Sequence, residues 1–119
     1  MTERGALDLR AFDRLLDWHI ESGTDAIVVV GTTGESATLS PAEHCELVSH
    51  CVSYVNHRIP VVAGTGSNNT HEALEFTSDA VSSGADAALL VTPYYTRPSQ
   101  EGLYQHFKVI AESVDIPQV

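Results

Sequence analysis

Three short stretches of this chain concentrate the groups able to hold an anion or move a proton. They are Gly31-Thr32-Thr33-Gly34-Glu35-Ser36, Gly64-Thr65-Gly66-Ser67-Asn68-Asn69 and Thr92-Pro93-Tyr94-Tyr95-Thr96-Arg97-Pro98. In the first, two hydroxyls and two glycines stand just ahead of a helix. Backbone N–H groups and threonine hydroxyls there suit a carboxylate or a phosphate; the plainer reading is a Gly/Thr turn between a strand and a helix. No lysine follows the glycines, so this is not a Walker loop. Thr38 stands where a nucleophile elbow around Ser36 needs glycine, so that reading fails too. The second stretch holds half of a dinucleotide fingerprint, with Asn69 in place of its third glycine. The third sets two adjacent tyrosines between prolines. A phenol there can relay protons or touch a partner; the plainer expectation is one packed ring and one exposed ring.

Other reactive side chains point nowhere. Lys108 is the one lysine. It falls about 140° around its helix from Leu103, on the wet side, where an ammonium keeps its proton and cannot attack a carbonyl. Cys45 and Cys51 share one helix, rising about 9 Å between them, beyond a disulfide's reach of about 7 Å. Both are expected to be buried or half-buried thiols. His44 and His50 are not at the i, i+4 spacing a metal wants, and no C-x-x-C or H-E-x-x-H occurs, so no metal or cofactor is expected.

These loops need elements to position them. Asp8 caps a first helix whose Leu9, Phe12, Leu15, Leu16 and Ile20 form its inner stripe, and Gly23 closes it. Residues 26–30 follow as a strand. Ser40, Pro41 and Glu43 make a capping box with proline at the first helical position, and that helix runs to about Asn56. Residues 60–63 are a second strand, Asn69 caps a helix over 70–83, and residues 87–91 are a third strand. Ser99 caps a last helix to about Val114 with Leu103, Phe107, Ile110 and Val114 inward, and residues 116–119 open a fourth strand.

The strands are continuous apolar runs, the pattern of a parallel sheet covered on both faces. Their spacing is that of βα units. The class is α/β: part of either an eight-stranded barrel or a doubly wound sheet. Of 119 residues, 43% are hydrophobic and 18% charged, so the chain has material for a core and is not disordered. Sixteen acidic residues against six basic ones, a net charge of −10, disfavour nucleic acid. No apolar run approaches the roughly 20 residues of a membrane span, and the N-terminus does not read as a signal segment. The expectation is a soluble, cytoplasmic protein.

Taken together, the three loops and the segment Gln100-Glu101-Gly102-Leu103-Tyr104-Gln105-His106-Phe107 closely resemble the dihydrodipicolinate synthase family, in order and over nearly the whole chain. The resemblance implies a (β/α)₈ barrel, of which residues 1–119 form one partial domain carrying strands two to four. It implies a lyase that condenses pyruvate with aspartate semialdehyde through a lysine Schiff base, on the route to diaminopimelate and lysine. By motif, Thr33 would bind the pyruvate carboxylate, Thr32 would belong to a proton relay, and Tyr95 would be the relay tyrosine reaching into a neighbouring subunit of a homo-oligomer. An L-lysine inhibitor site would match Ala37, His44, Asn68, Glu72 and Tyr94. Pro41 stands where lysine-inhibited bacterial members often carry a histidine. Read from the residues alone, Asn68 would be a cap and Glu72 a solvated side chain. The family's Schiff-base lysine and main proton-transferring tyrosine lie on later strands and its first strand precedes the first helix, so this chain alone is expected to be inactive.

Two competitors remain at this point. One is a flavodoxin-like module holding a flavin phosphate on the first loop, which a yellow colour would reveal. The other is a non-catalytic fragment that only associates with other subunits.

Overall fold

The computed structural model describes residues 1–119. Four helices, α1 (Leu9–Glu21), α2 (Pro41–Val55), α3 (Thr70–Ser83) and α4 (Gln100–Ser113), alternate with three strands, β1 (Ile27–Val29), β2 (Val61–Gly64) and β3 (Ala87–Leu89). The expected caps are in place. Asp8 accepts from the Ala11 N–H, Asn69 from His71 and Ser99 from Gly102. Ser40 and Glu43 complete a reciprocal capping box with Pro41 at the first position, an arrangement worth about 1 kcal/mol. No helix is long and apolar enough to cross a membrane.

The sheet is parallel and strictly sequential, β1-β2-β3, with Ile27 opposite Val61 and Ala63 opposite Ala88. Residues 117–119 join the far edge: the Ala88 N–H donates to the Pro117 carbonyl and the Val119 N–H to the Ala88 carbonyl, both at 2.9 Å. The order never reverses. Such an order fits a segment of a barrel and equally one half of a doubly wound sheet, which turns back only at its switch point.

The strands are shorter than their apolar runs. Residue 30 leaves the sheet because Val30 takes a φ of 50°, a left-handed conformation that costs a β-branched residue strain. Strand coverage also differs from expectation. The face bearing Val29, Ala63 and Ala88 is buried against the helices, around Leu16, Val48, Cys51 and Val55. The opposite face, bearing Val28, Val62, Ala87 and Leu89, has no layer over it, and Val28 is 51% exposed. Leu15, expected on the inner stripe, is half exposed beside the free edge of β1. On α4 the two most buried side chains are His106 and Ile110; Leu103 and Phe107 are only half-buried.

The radius of gyration, 14.6 Å, exceeds the value of about 13.5 Å for a closed domain of this length. The surplus is the open side of the barrel. Polar clamps hold α1 onto α2: His50 meets Asp13 at 2.5 Å, the Tyr54 hydroxyl donates to Asp17 at 2.6 Å, and Arg58 donates to the same carboxylate at 3.2 Å. These donors hold the Asp17 carboxyl below its usual range. Cys45 and Cys51 are free thiols, the first half-buried and the second buried. Burial drives their pKa values up to about 11 and about 12, so both are structural and unreactive.

Two glycines permit close approach at the ends of the strands. A Cβ on Gly64 would lie 2.4 Å from the Val30 carbonyl oxygen, and one on Gly66 would lie 2.4 Å from the Val91 nitrogen. Backbone cannot yield as a flexible side chain does. Gly64→Ala is therefore expected to destabilise the fold by about 1–3 kcal/mol. Gly34→Ala, where a Cβ meets open space, should leave the urea-unfolding midpoint nearly unchanged. Equal midpoints for the two variants would contradict this packing.

Candidate functional site

The three loops singled out by residue type all leave the C-terminal ends of the strands, where parallel α/β folds build their sites. The β1 loop begins at the strained Val30 and makes a turn of 3-10 helix over Thr32–Gly34, then a second over Ser36–Thr38. The first turn is closed by Gly34 donating to the Gly31 carbonyl at 2.9 Å and Glu35 to the Thr32 carbonyl at 3.0 Å. Thr32 and Thr33, opening this turn, have no helical acceptor for their own N–H groups. Their hydroxyls make no hydrogen bond within the chain, and both residues are exposed. Two adjacent N–H groups with two hydroxyls form a neutral donor cluster of the kind that binds a carboxylate.

The β2 loop is tied down from within. Thr65 is fully buried: its N–H donates to the Leu89 carbonyl at 2.9 Å, and its hydroxyl lies 3.0 Å from that of buried Thr77. The Ser67 hydroxyl donates to Glu72 at 2.5 Å. Glu72 is thus half-buried and engaged, not the solvated side chain its sequence context suggests. Asn68 does not cap α3, which Asn69 does; its side-chain amide donates to the Tyr94 carbonyl at 3.2 Å and ties the second loop to the third.

Both tyrosines of the β3 loop are exposed, so the expectation of one packed ring fails. Tyr94 is 54% exposed and Tyr95 96%. Tyr95 also has a φ of 68° and Arg97 one of 47°.

His44 turns inward. Its Nε2 lies 2.8 Å from the Gly64 carbonyl, its ring stacks on Phe76 with centroids 4.0 Å apart, and its Nδ1 is buried without a partner. Desolvation holds this imidazole below its ordinary value, against smaller upward pulls from the Gly64 carbonyl, Glu72 and Asp79. Ala37 sits exposed on the second turn. Of the five residues of the inhibitor set, the structure joins Asn68 to Tyr94 directly and sets Glu72 within electrostatic reach of His44. Lys108 lies on the outer side of α4, 3.9 Å from Glu112 and over the Tyr104 ring.

The sequence reading missed two buried histidine and threonine pairings. One is the Thr65–Thr77 contact. The other is His106, 5% exposed, with Nδ1 2.8 Å from the Thr70 hydroxyl and Nε2 buried without a partner. The available signal was the helical spacing from His106 to Ile110, which puts the imidazole on the inner stripe.

Comparison with known proteins settles the family. The profile of the Dihydrodipicolinate synthetase family matches residues 1–119. The chain belongs to that family. It is 60% identical over all 119 residues to the 4-hydroxy-tetrahydrodipicolinate synthase of Stutzerimonas stutzeri and 59% to that of Dechloromonas aromatica, covering 41% of each. The chloride-inhibited dihydrodipicolinate synthase of Acinetobacter baumannii, solved with pyruvate, superposes with a TM-score of 0.97 at 54% identity; 99% of this chain covers 40% of that one. A prophage protein of the same family from E. coli K12, also solved with pyruvate, gives 0.96 at 32% identity. The chain thus spans about two fifths of the length of these relatives, and its strands are a segment of their barrel. The flavodoxin-like alternative is set aside.

Two outcomes follow from this geometry. An unfolded imidazole titrates near 6.5, while folded His44 and His106 titrate lower because burial penalises the cation. The unfolded state therefore binds more protons as pH falls below about 6.5, and stability drops there. Urea midpoints measured from neutral to acidic pH should decline from this point, and less steeply in His106→Phe. Tyr95→Phe removes a hydroxyl that touches nothing, so its unfolding free energy, read from the same urea curves, should stay within about 0.5 kcal/mol of the parent.

Proposed function

We propose that residues 1–119 supply the carboxylate-binding and proton-relay side of a lyase that condenses pyruvate with aspartate semialdehyde. The observation that carries this reading is the pair of unpaired N–H groups and hydroxyls at Thr32 and Thr33, at the C-terminal end of a barrel strand. Thr33 holds the pyruvate carboxylate through its hydroxyl and loop N–H. Thr32 and Tyr95 pass protons: hydroxyls move a proton without setting a fixed charge beside an imine. The family's chemistry attaches pyruvate to a lysine amine, with loss of water, and then removes a methyl proton to give the nucleophilic enamine. Lys108 does not serve as that amine, since it is engaged with Glu112 and Tyr104 away from the loops. The working protein is a cytoplasmic homo-oligomer in which Tyr95 enters a neighbour's site. L-lysine acts as an inhibitor at Ala37, His44, Asn68, Glu72 and Tyr94. No cofactor or metal takes part.

The anion site is testable on the 119-residue chain. Titration with pyruvate should shift the backbone amide resonances of Thr32 to Ser36 in a saturable way, and Thr33→Val should abolish the shift. Absence of any shift in this loop, or one indifferent to Thr33→Val, would overturn the assignment. Borohydride added with pyruvate should leave the intact mass unchanged; a stoichiometric adduct on Lys108 would show that the nucleophile had been misplaced.

A further inference from the structure

We infer that Thr65 is a positioning residue: its hydroxyl pegs the end of β2 to α3 and thereby fixes the turn that carries Thr32 and Thr33. The functional consequence rests on the reading of that turn as the carboxylate site.

The peg has a direction. Thr65 and Thr77 are both fully buried, where a hydroxyl without a partner is costly. The Thr77 hydroxyl lies 2.6 Å from the Ala73 carbonyl and 3.0 Å from the Thr65 hydroxyl. Each hydroxyl has one proton to give. The carbonyl can only accept, so the Thr77 proton goes to Ala73 and the Thr65 proton goes to Thr77. Thr65 is thus a donor held by an oxygen that is itself tied to the backbone of α3. Its own N–H donates to the Leu89 carbonyl at 2.9 Å, which fixes the same residue to β3.

The flanking residues make this peg count. Residues 64 and 66 are both glycine, so Thr65 carries the one side chain across this strand end. The place of a Gly64 Cβ is taken by the peptide joining Val30 to Gly31, with the Val30 carbonyl carbon at 2.7 Å and the Gly31 nitrogen at 2.8 Å. On the other side, the place of a Gly66 Cβ is taken by Val91. Gly64 cannot shift toward β1 without pushing the chain at Gly31. The Gly31 carbonyl accepts the Gly34 N–H at 2.9 Å, the bond that closes the turn opened by Thr32 and Thr33. A displacement at Thr65 therefore reaches that turn through packed backbone, with no flexible side chain to absorb it.

Filling space would not require a hydroxyl here. Valine has the same branching and would leave no buried polar group to satisfy. Donors that hold a ligand must be placed to within about 0.5 Å. A hydrogen bond sets a distance and a direction, whereas apolar contact is non-directional.

Two substitutions separate these roles. Thr65→Val keeps the branching and removes the donor; Thr65→Ser keeps the donor and removes a buried methyl. In amide spectra of the ligand-free 119-residue chain, the Thr32 to Ser36 resonances should be displaced in Thr65→Val and in place in Thr65→Ser. The Kd for pyruvate should rise about tenfold in Thr65→Val and stay close to the parent's in Thr65→Ser. Thr65→Ser, with its small cavity, should nonetheless unfold at the lower urea concentration. Thr77→Val should displace the same resonances from the far side of the bond, and it serves in place of Thr65→Val if that variant does not fold. The double variant Thr65→Val/Thr77→Val should displace them no further than either single change, because both remove one shared contact. Turn resonances unmoved in Thr65→Val, or moved as far in Thr65→Ser, would overturn the proposal. Pyruvate binding that falls in step with the urea midpoint across the variants would also overturn it, since packing alone would then suffice. If the parent chain does not respond to pyruvate, the carboxylate reading fails, while the ligand-free spectra still decide whether Thr65 positions the turn.

Discussion

At Gly64 the backbone of β2 passes so close to the chain leaving β1 that a single added carbon would sit 2.4 Å from the Val30 carbonyl. Much of the loop architecture depends on this approach. Val30, displaced into a left-handed conformation at this point, turns the chain out of the sheet and starts the turn that presents Thr32 and Thr33. The Gly64 carbonyl meets the His44 ring from α2, so one residue organises both the exit from β1 and the helix that follows it. Gly66 repeats the device one strand on, against the Val91 backbone. The Thr65 N–H between them bonds Leu89. β2 is therefore the hub, and the three loops take their relative positions from a strand whose end carries almost no side-chain bulk.

Most of the architecture was legible because local signals and tertiary context agree. Ser40-Pro41-Glu43 reads as a helix start in any context, and the continuous apolar strands could only be parallel. What failed did so for tertiary reasons. The apolar run through Val30 looks like strand, since no propensity anticipates a β-branched residue with a φ of 50°. Leu15 has the spacing of an inner residue, yet it is half exposed on a groove beside β1. The continuous runs promised two covered faces, and residues 1–119 contain the cover for one. His106 was passed over because histidine is a polar letter at an apolar position, although its spacing to Ile110 was plain.

Within the loops, legibility followed chemistry. The loops carrying Thr32, Thr33 and Tyr95 stood out by residue type and place, while the roles of the three residues came from the family resemblance; all three are exposed. Asn68 and Glu72 were harder. From sequence, an asparagine and a glutamate around a helix start read as a cap and a solvated charge. The structure spends both on holding loops: Asn68 on Tyr94, Glu72 on Ser67. Such contacts cross loops far apart in sequence, and no local pattern encodes them.

The electrostatics of these loops point to a division of labour along the barrel. The donors at Thr32 and Thr33 are neutral, and desolvation lowers the pKa of the buried His44 and His106 imidazoles. The chain as a whole carries a net charge of −10, and Thr32 and Thr33 themselves bring no charge. A cation there would hold a carboxylate more tightly. It would also stabilise the carboxylate equally before and during reaction, which lowers the concentration needed without speeding the chemistry. In the proposed reaction, neutral donors would orient the carboxylate and leave the large electrostatic change to the one group that must become cationic when an amine condenses with a ketone. In the proposed reaction that group lies outside residues 1–119. On that proposal the part left to residues 1–119 is positional: strand ends held by the close backbone approaches at Gly64 and Gly66 would fix the substrate and offer hydroxyls for its protons.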